Sequence, residues 1–249
     1  MITYENLRKF CYTNDQLIKT PIKGICLNFF GLGNTSMFWE DSERAVKFAE
    51  AGIIYIQPYL NPWAWMNRQA VEITDKIVGV LAEHYGLGDV GVCSTGGSMG
   101  GMSCLVYARY SSHRIVACVA NCPVCDMPYH ITERVDLPRT IYSAYYDCED
   151  FDQALRDHSP LHLVPTMPRV PYHIFHCEED MAVNIDKHSA RFVAAMREGG
   201  FEVTYDTVPE AGHCKLTPEA WEKFEVFKHP MPQTDSILHT KTVISKVPR

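Results

Sequence analysis

The chain has 249 residues, 46% hydrophobic and 21% charged, the balance of an ordinary globular domain rather than of a disordered or membrane-embedded protein. Its 23 basic and 30 acidic residues leave a net charge of −7, and the basic ones are dispersed, which disfavours nucleic acid as a partner. The N-terminus, MITYENLRKF, has no basic stretch leading into an apolar run, and no segment approaches the roughly 18 to 20 apolar residues that cross a bilayer, so a cytoplasmic protein with no membrane partner is expected.

Short apolar, β-branched runs alternate with segments of helical period, the pattern of a mostly parallel sheet with helices on both faces. In chain order, strands are expected at 22–30, 53–58, 90–94, 115–121, 171–176 and 202–208, and helices at 42–51, 67–85, 99–110, 185–198 and 218–227. In the second helix Ala70, Ile73, Ile77, Val80 and Leu81 recur at helical intervals. Residues 122–169, rich in Pro, Tyr, Asp and His, break the rhythm and read as a small cap over the sheet, while 229–249 read as an irregular tail. No linker interrupts the alternation, so one domain spanning 1–249 is expected.

The ten cysteines include Cys26, Cys93 and Cys118 inside apolar runs, where free buried thiols suit a reducing compartment. Cys122 and Cys125 form a CPVC pair, and with no second pair to complete a zinc set they read as structural thiols.

The sharpest chemical signal is Gly96-Gly97-Ser98-Met99-Gly100-Gly101, which follows the run VGVCS and precedes a helical segment. A chain turning from strand to helix within so few residues strains the serine and requires minimal neighbours, which the glycines supply. The hydroxyl then stands at a helix N-terminus, where unpaired N–H groups favour developing negative charge, making the Met99 N–H an oxyanion donor. A serine hydroxyl needs a base, and His213, in PEAGH directly after a strand, is the one of eleven histidines placed for it. That imidazole needs a carboxylate on a neighbouring loop, and HCEEDMAV supplies Glu178, Glu179 and Asp180, of which Asp180, three residues before Val183 in an order that resembles the acid loop of many hydrolases, is preferred over Glu179 and Glu178. The Gly-rich loop Phe30-Gly31-Leu32-Gly33 is expected to provide the second oxyanion donor from Leu32.

The order Ser98, Asp180, His213, each after an expected strand, resembles the α/β-hydrolase superfamily over residues from about 22 to 227. Within it the chain looks most like the esterase and prolyl-oligopeptidase-like branch. There a His-Gly pair usually marks the oxyanion loop and His-Gly-x-x-Asp-x-x-Val the acid loop. Here Phe30 stands for the first His and Cys177 for the second Gly, while His176, Asp180 and Val183 keep their places. The resemblance implies an α/β-hydrolase fold and acyl transfer to water through Ser98, His213 and Asp180, with Leu32 and Met99 holding the oxyanion and no metal or organic cofactor required. Peptidases of this branch usually carry an N-terminal propeller, whereas this chain starts almost at its first strand, so a small-molecule ester is the expected substrate. Phe38, Trp39, Trp63 and Trp65 are expected to line the pocket. A peptidase or amidase is the runner-up, and a non-catalytic ligand- or partner-binding protein on the same fold is the third reading. The sequence leaves the oligomeric state open, a homodimer included.

Overall fold

A computed structural model describes residues 1–38 and 40–226. The expected tail at 229–249 and Trp39 lie outside the described residues. The strands are β1 (Cys11–Thr13), β2 (Gly24–Phe29), β3 (Ile53–Pro58), β4 (Val92–Gly97), β5 (Ile115–Asn121), β6 (Tyr172–Cys177) and β7 (Val203–Val208), in the spatial order β1-β3-β2-β4-β5-β6-β7. All neighbours pair in parallel except β1, which runs antiparallel to β3 along the edge with Cys11 opposite Pro58.

The strands are apolar on both faces because both are covered. Ile25, Leu27, Ile54, Ile56, Cys118 and Ala120 point into one core with helices α2 (Arg68–His84), α3 (Met99–Tyr110) and α8 (Ser189–Glu198). Their alternating neighbours face the other way. Cys26, Ile53 and Tyr55 pack on α1 (Glu43–Glu50), and Ala117, Val119 and Phe175 on α9 (Pro218–Val226). Capping residues fix the helix starts, as where the Ser42 side chain accepts from the Ala45 N–H and Asn67 from the Ala70 N–H.

The expected strands and helices are all present among the described residues, with one unexpected strand and two shifted boundaries. β1 is too short to leave a periodic signal. β4 runs on to Gly97 because Gly96 and Gly97 pair with Ala120 and Asn121 of β5. Helix α8 starts at Ser189 rather than 185, since the buried His188 ring accepts the N–H groups of Cys125 and Asp126 and holds the chain out of helical geometry just before it. The 122–169 insertion contains α4 (Met127–His130), α5 (Leu137–Ala144), α6 (Phe151–Asp157) and α7 (Pro160–Leu163), and α7 packs on α3 and α8. It therefore extends the helical layer, and its contribution to the cleft at the sheet edge is Arg134.

Candidate active site

Ser98, Asp180 and His213 follow β4, β6 and β7 at the carboxyl ends of their strands, where open parallel sheets gather ligand groups. Ser98 has φ 60° and ψ −127°, a strained conformation for a residue with a side chain, and its own N–H is tied to the Asn121 carbonyl. The turn closes because a Cβ on Gly96 would meet the Gly100 carbonyl oxygen at 2.2 Å, and one on Gly100 would meet the Phe29 oxygen at 2.2 Å. No other residue fits at either place.

His213 Nε2 lies 2.8 Å from Ser98 Oγ, and its Nδ1 lies 2.6 Å from Asp180 Oδ2. The Asp180 side chain is fully buried. Its Oδ1 accepts the N–H groups of Ala182 and Val183 at 2.8 and 2.9 Å, and its Oδ2 lies 3.3 Å from His176 Nε2. Burial alone would raise the Asp180 pKa, but hydrogen bonds from His176, His213 and the Val183 N–H outweigh it and hold the carboxyl far below the usual range. Glu178 and Glu179 are exposed beside it, and Glu178 accepts from the Thr207 hydroxyl instead. The loops are laced together by the Glu179 N–H, which donates to the Ala211 carbonyl. Burial favours the neutral His213 ring, yet hydrogen bonding to Asp180 and Cys122 pushes its pKa up to about 9.

Met99 begins α3, so its N–H has no carbonyl within the helix to bind. The loop after β2 passes close over the serine, for a Cβ on Gly31 would sit 3.7 Å from Ser98 Cβ, and Leu32 lines the same cleft. The cleft has a volume of about 510 Å³, with Phe30, Leu32, Trp221 and Phe224 as apolar walls and Arg44 and Arg134 at its margins.

The aromatic expectations need correction. Trp65 is 1% exposed, with its Nε1–H donating to Thr140 Oγ1, and belongs to the core between α2 and the insertion. Trp63 lines a separate cavity with Leu60, Asn67 and Tyr146. Phe38 stacks on Phe30 at 5.8 Å and backs the cleft wall from behind. Trp221 and Phe224, which line the cleft from α9, carried no signal in the sequence beyond lying in an expected helix.

Among the described residues three groups bring metal-ligand atoms together, one of them Cys122, His176 and Asp180 at the acid loop. His130, Glu133 and His188 converge within the insertion. His188 Nδ1 accepts two backbone N–H groups, so Nε2 carries the proton and donates to Glu133 at 2.8 Å, leaving no lone pair for an ion. Beside the serine, Cys122, His213 and Cys214 bring two sulfurs and a ring nitrogen together.

The family model described as "Prolyl oligopeptidase family" matches residues 67–226. No curated protein matches the sequence. Among solved structures, Pyrococcus horikoshii acylaminoacyl peptidase is 14% identical with a TM-score of 0.64, covering 84% of this chain and 36% of that one. Thermogutta terrifontis esterase 2 is 16% identical with a TM-score of 0.63, covering 87% and 85%. A Mycobacterium tuberculosis puromycin-hydrolyzing peptidase is 18% identical with a TM-score of 0.61, covering 78% and 31%. The chain thus spans about a third of the length of these peptidases. At such identity the likeness is one of fold, the α/β-hydrolase fold.

Proposed function

The chain belongs to the prolyl oligopeptidase family of serine hydrolases, and from that premise we propose that it cleaves a carboxylic ester of a small, largely apolar substrate through a Ser98-His213-Asp180 triad. Ser98 Oγ attacks the carbonyl carbon as His213 Nε2 takes its proton. Asp180 fixes the ring tautomer and stabilises the imidazolium. The N–H groups of Leu32 and Met99 receive the charge that develops on the carbonyl oxygen. His213 then protonates the departing alkoxide, and water releases the acyl group by the reverse relay.

The observation that carries this reading is the 2.8 Å approach of His213 Nε2 to Ser98 Oγ at the foot of an open apolar cleft. An uncharged substrate is favoured because the bordering cations are already engaged. Arg44 pairs with Glu225 at 3.2 Å and stacks over Trp221, and Arg134 grips Asp136 through two nitrogens. Amide cleavage is the second reading, favoured by the family itself and by peptidases among the structural neighbours. The unpaired state of all ten cysteines supports a reducing, cytoplasmic setting.

Turnover of p-nitrophenyl acetate and butyrate, set against a peptide p-nitroanilide, tests the choice. The ester reading expects hydrolysis of the esters that Ser98→Ala abolishes, with the anilide at least a hundredfold slower. Anilide turnover equal to or above that of the esters replaces it with a peptidase.

A further inference from the structure

We propose that Cys122, Cys214 and His213 form a binding site for a thiophilic divalent cation of the zinc type, and that its occupancy silences the serine beside it. The two cysteines have no part in the hydrolytic relay. Both nevertheless hold left-handed backbone conformations, φ 46° at Cys122 and 58° at Cys214, which a residue with a side chain keeps only where surrounding structure enforces them. Both sulfurs lie within 4.8 Å of a His213 ring nitrogen.

The donor atoms of the three residues lie within 4.8 Å of one another, and Cys214 Sγ is 3.7 Å from His213 Nε2. A tetrahedral zinc ion with bonds of about 2.3 Å to sulfur and about 2.0 Å to nitrogen separates its S and N ligands by about 3.5 Å. Small side-chain adjustments suffice. The surroundings also suit a bound thiolate. Cys122 Sγ already accepts the N–H groups of Cys177 and Cys214, both at 3.4 Å, the kind of donors that steady metal-bound sulfur. Asp180 on Nδ1 presents the Nε2 lone pair of His213 outward, the carboxylate–histidine arrangement that orients imidazole ligands toward zinc. Cys214 opens on the cleft, which gives the ion an entry path and leaves a fourth position for water.

Binding to the neutral His213 ring therefore exchanges two protons for one cation, and where that ring is protonated its Nε2 proton leaves to solvent as well. The Cys122 and Cys214 S–H bonds break, their protons leave to solvent, and two sulfur–metal bonds and one nitrogen–metal bond form without change of oxidation state. The Nε2 lone pair that accepts the Ser98 proton is then engaged, and Ser98 keeps its proton. The inhibition rests on the hydrolase reading; the binding does not.

The two are separated by titrating the reduced, chelator-treated full chain with Co²⁺ and then Zn²⁺, followed by absorbance. The proposal expects one equivalent of Co²⁺ to produce thiolate-to-cobalt charge transfer and tetrahedral visible bands that Zn²⁺ removes. Ser98→Ala should retain these bands, while Cys122→Ala and Cys214→Ala, checked for folding by circular dichroism, should each weaken binding by about 10- to 100-fold. Absence of the thiolate band in the wild-type chain overturns the site. So does binding indifferent to both cysteine substitutions. In the activity arm, micromolar Zn²⁺ should inhibit ester turnover of the wild type and inhibit the folded cysteine variants at least tenfold less; equal inhibition in all three contradicts the assigned ligands.

Discussion

At the carboxyl edge of the sheet, Asp180 is fixed by the N–H groups of Ala182 and Val183, two and three residues away, and Ser98 by a turn of glycines on either side. In the 122–169 insertion, Glu133 instead gathers His130 from its own turn, His188 from 55 residues further on and the Asn184 N–H from the acid loop. Both regions bury carboxylates among imidazoles. The first builds its geometry from neighbours in the chain and aims one ring at a hydroxyl, while the second turns His130 Nδ1 and His188 Nε2 onto the same Glu133 carboxylate. A buried His-carboxylate pair becomes a candidate chemical site where the other ring nitrogen faces a nucleophile, as His213 Nε2 faces Ser98 Oγ. Substitutions at the edge should act on rate, and substitutions in the insertion on stability.

The largest separation is expected at Ser98. Ser98→Ala should lower kcat for the ester by about 10⁶-fold, and Asp180→Asn, which allows the wrong ring tautomer, by about 10⁴-fold, with thermal unfolding of the alanine variant little changed. Steady-state kinetics with calorimetry on the same samples checks both, and residual rates within tenfold of wild type would erase the distinction between the regions. An intermediate effect comes from pH. With the His213 pKa raised from 6.5 to about 9, the free base is scarce near neutrality, so kcat/KM should climb as pH rises and level off only above about 9. The stability linked to the charged ring is complete below 6.5 and is lost as pH rises through about 9, so rate and stability should run in opposite directions across that window. A rate plateau already reached at pH 7 would mean that the Asp180 contact does not retain the proton. The smallest rate effect is expected from Glu133→Gln, which should cost about 2 kcal/mol of unfolding free energy while kcat/KM stays within about tenfold. A hundredfold loss of rate with stability intact would make the insertion part of the reactive machinery.

The sequence showed most where the constraint is local. Gly96, Ser98 and Gly100 are legible because a strand-to-helix turn admits so few residue types. Asp180 and His213 are legible because a strand end precedes each. The cleft walls were not, since the identity of an aromatic does not say which way its element turns. Trp65 lies in the core with its Nε1–H bonded to Thr140, and Trp221 lines the cleft from α9 with the Arg44 guanidinium over its ring. Nor did the CPVC motif reveal the neighbour of Cys122, which is Cys214, 92 positions away, rather than Cys125. The early start expected for α8 failed for a related reason, because the capture of the His188 ring by the Cys125 and Asp126 N–H groups is a tertiary contact with no local trace.

The central claim is that the Ser98 hydroxyl is activated by His213. Labelling of the folded chain with a fluorophosphonate, read by peptide mass spectrometry, tests it without any choice of substrate. The account predicts one adduct per chain on Ser98, absent in Ser98→Ala and slowed at least a hundredfold in His213→Ala. No adduct on the folded wild-type chain, or equal labelling rates with and without His213, would contradict it.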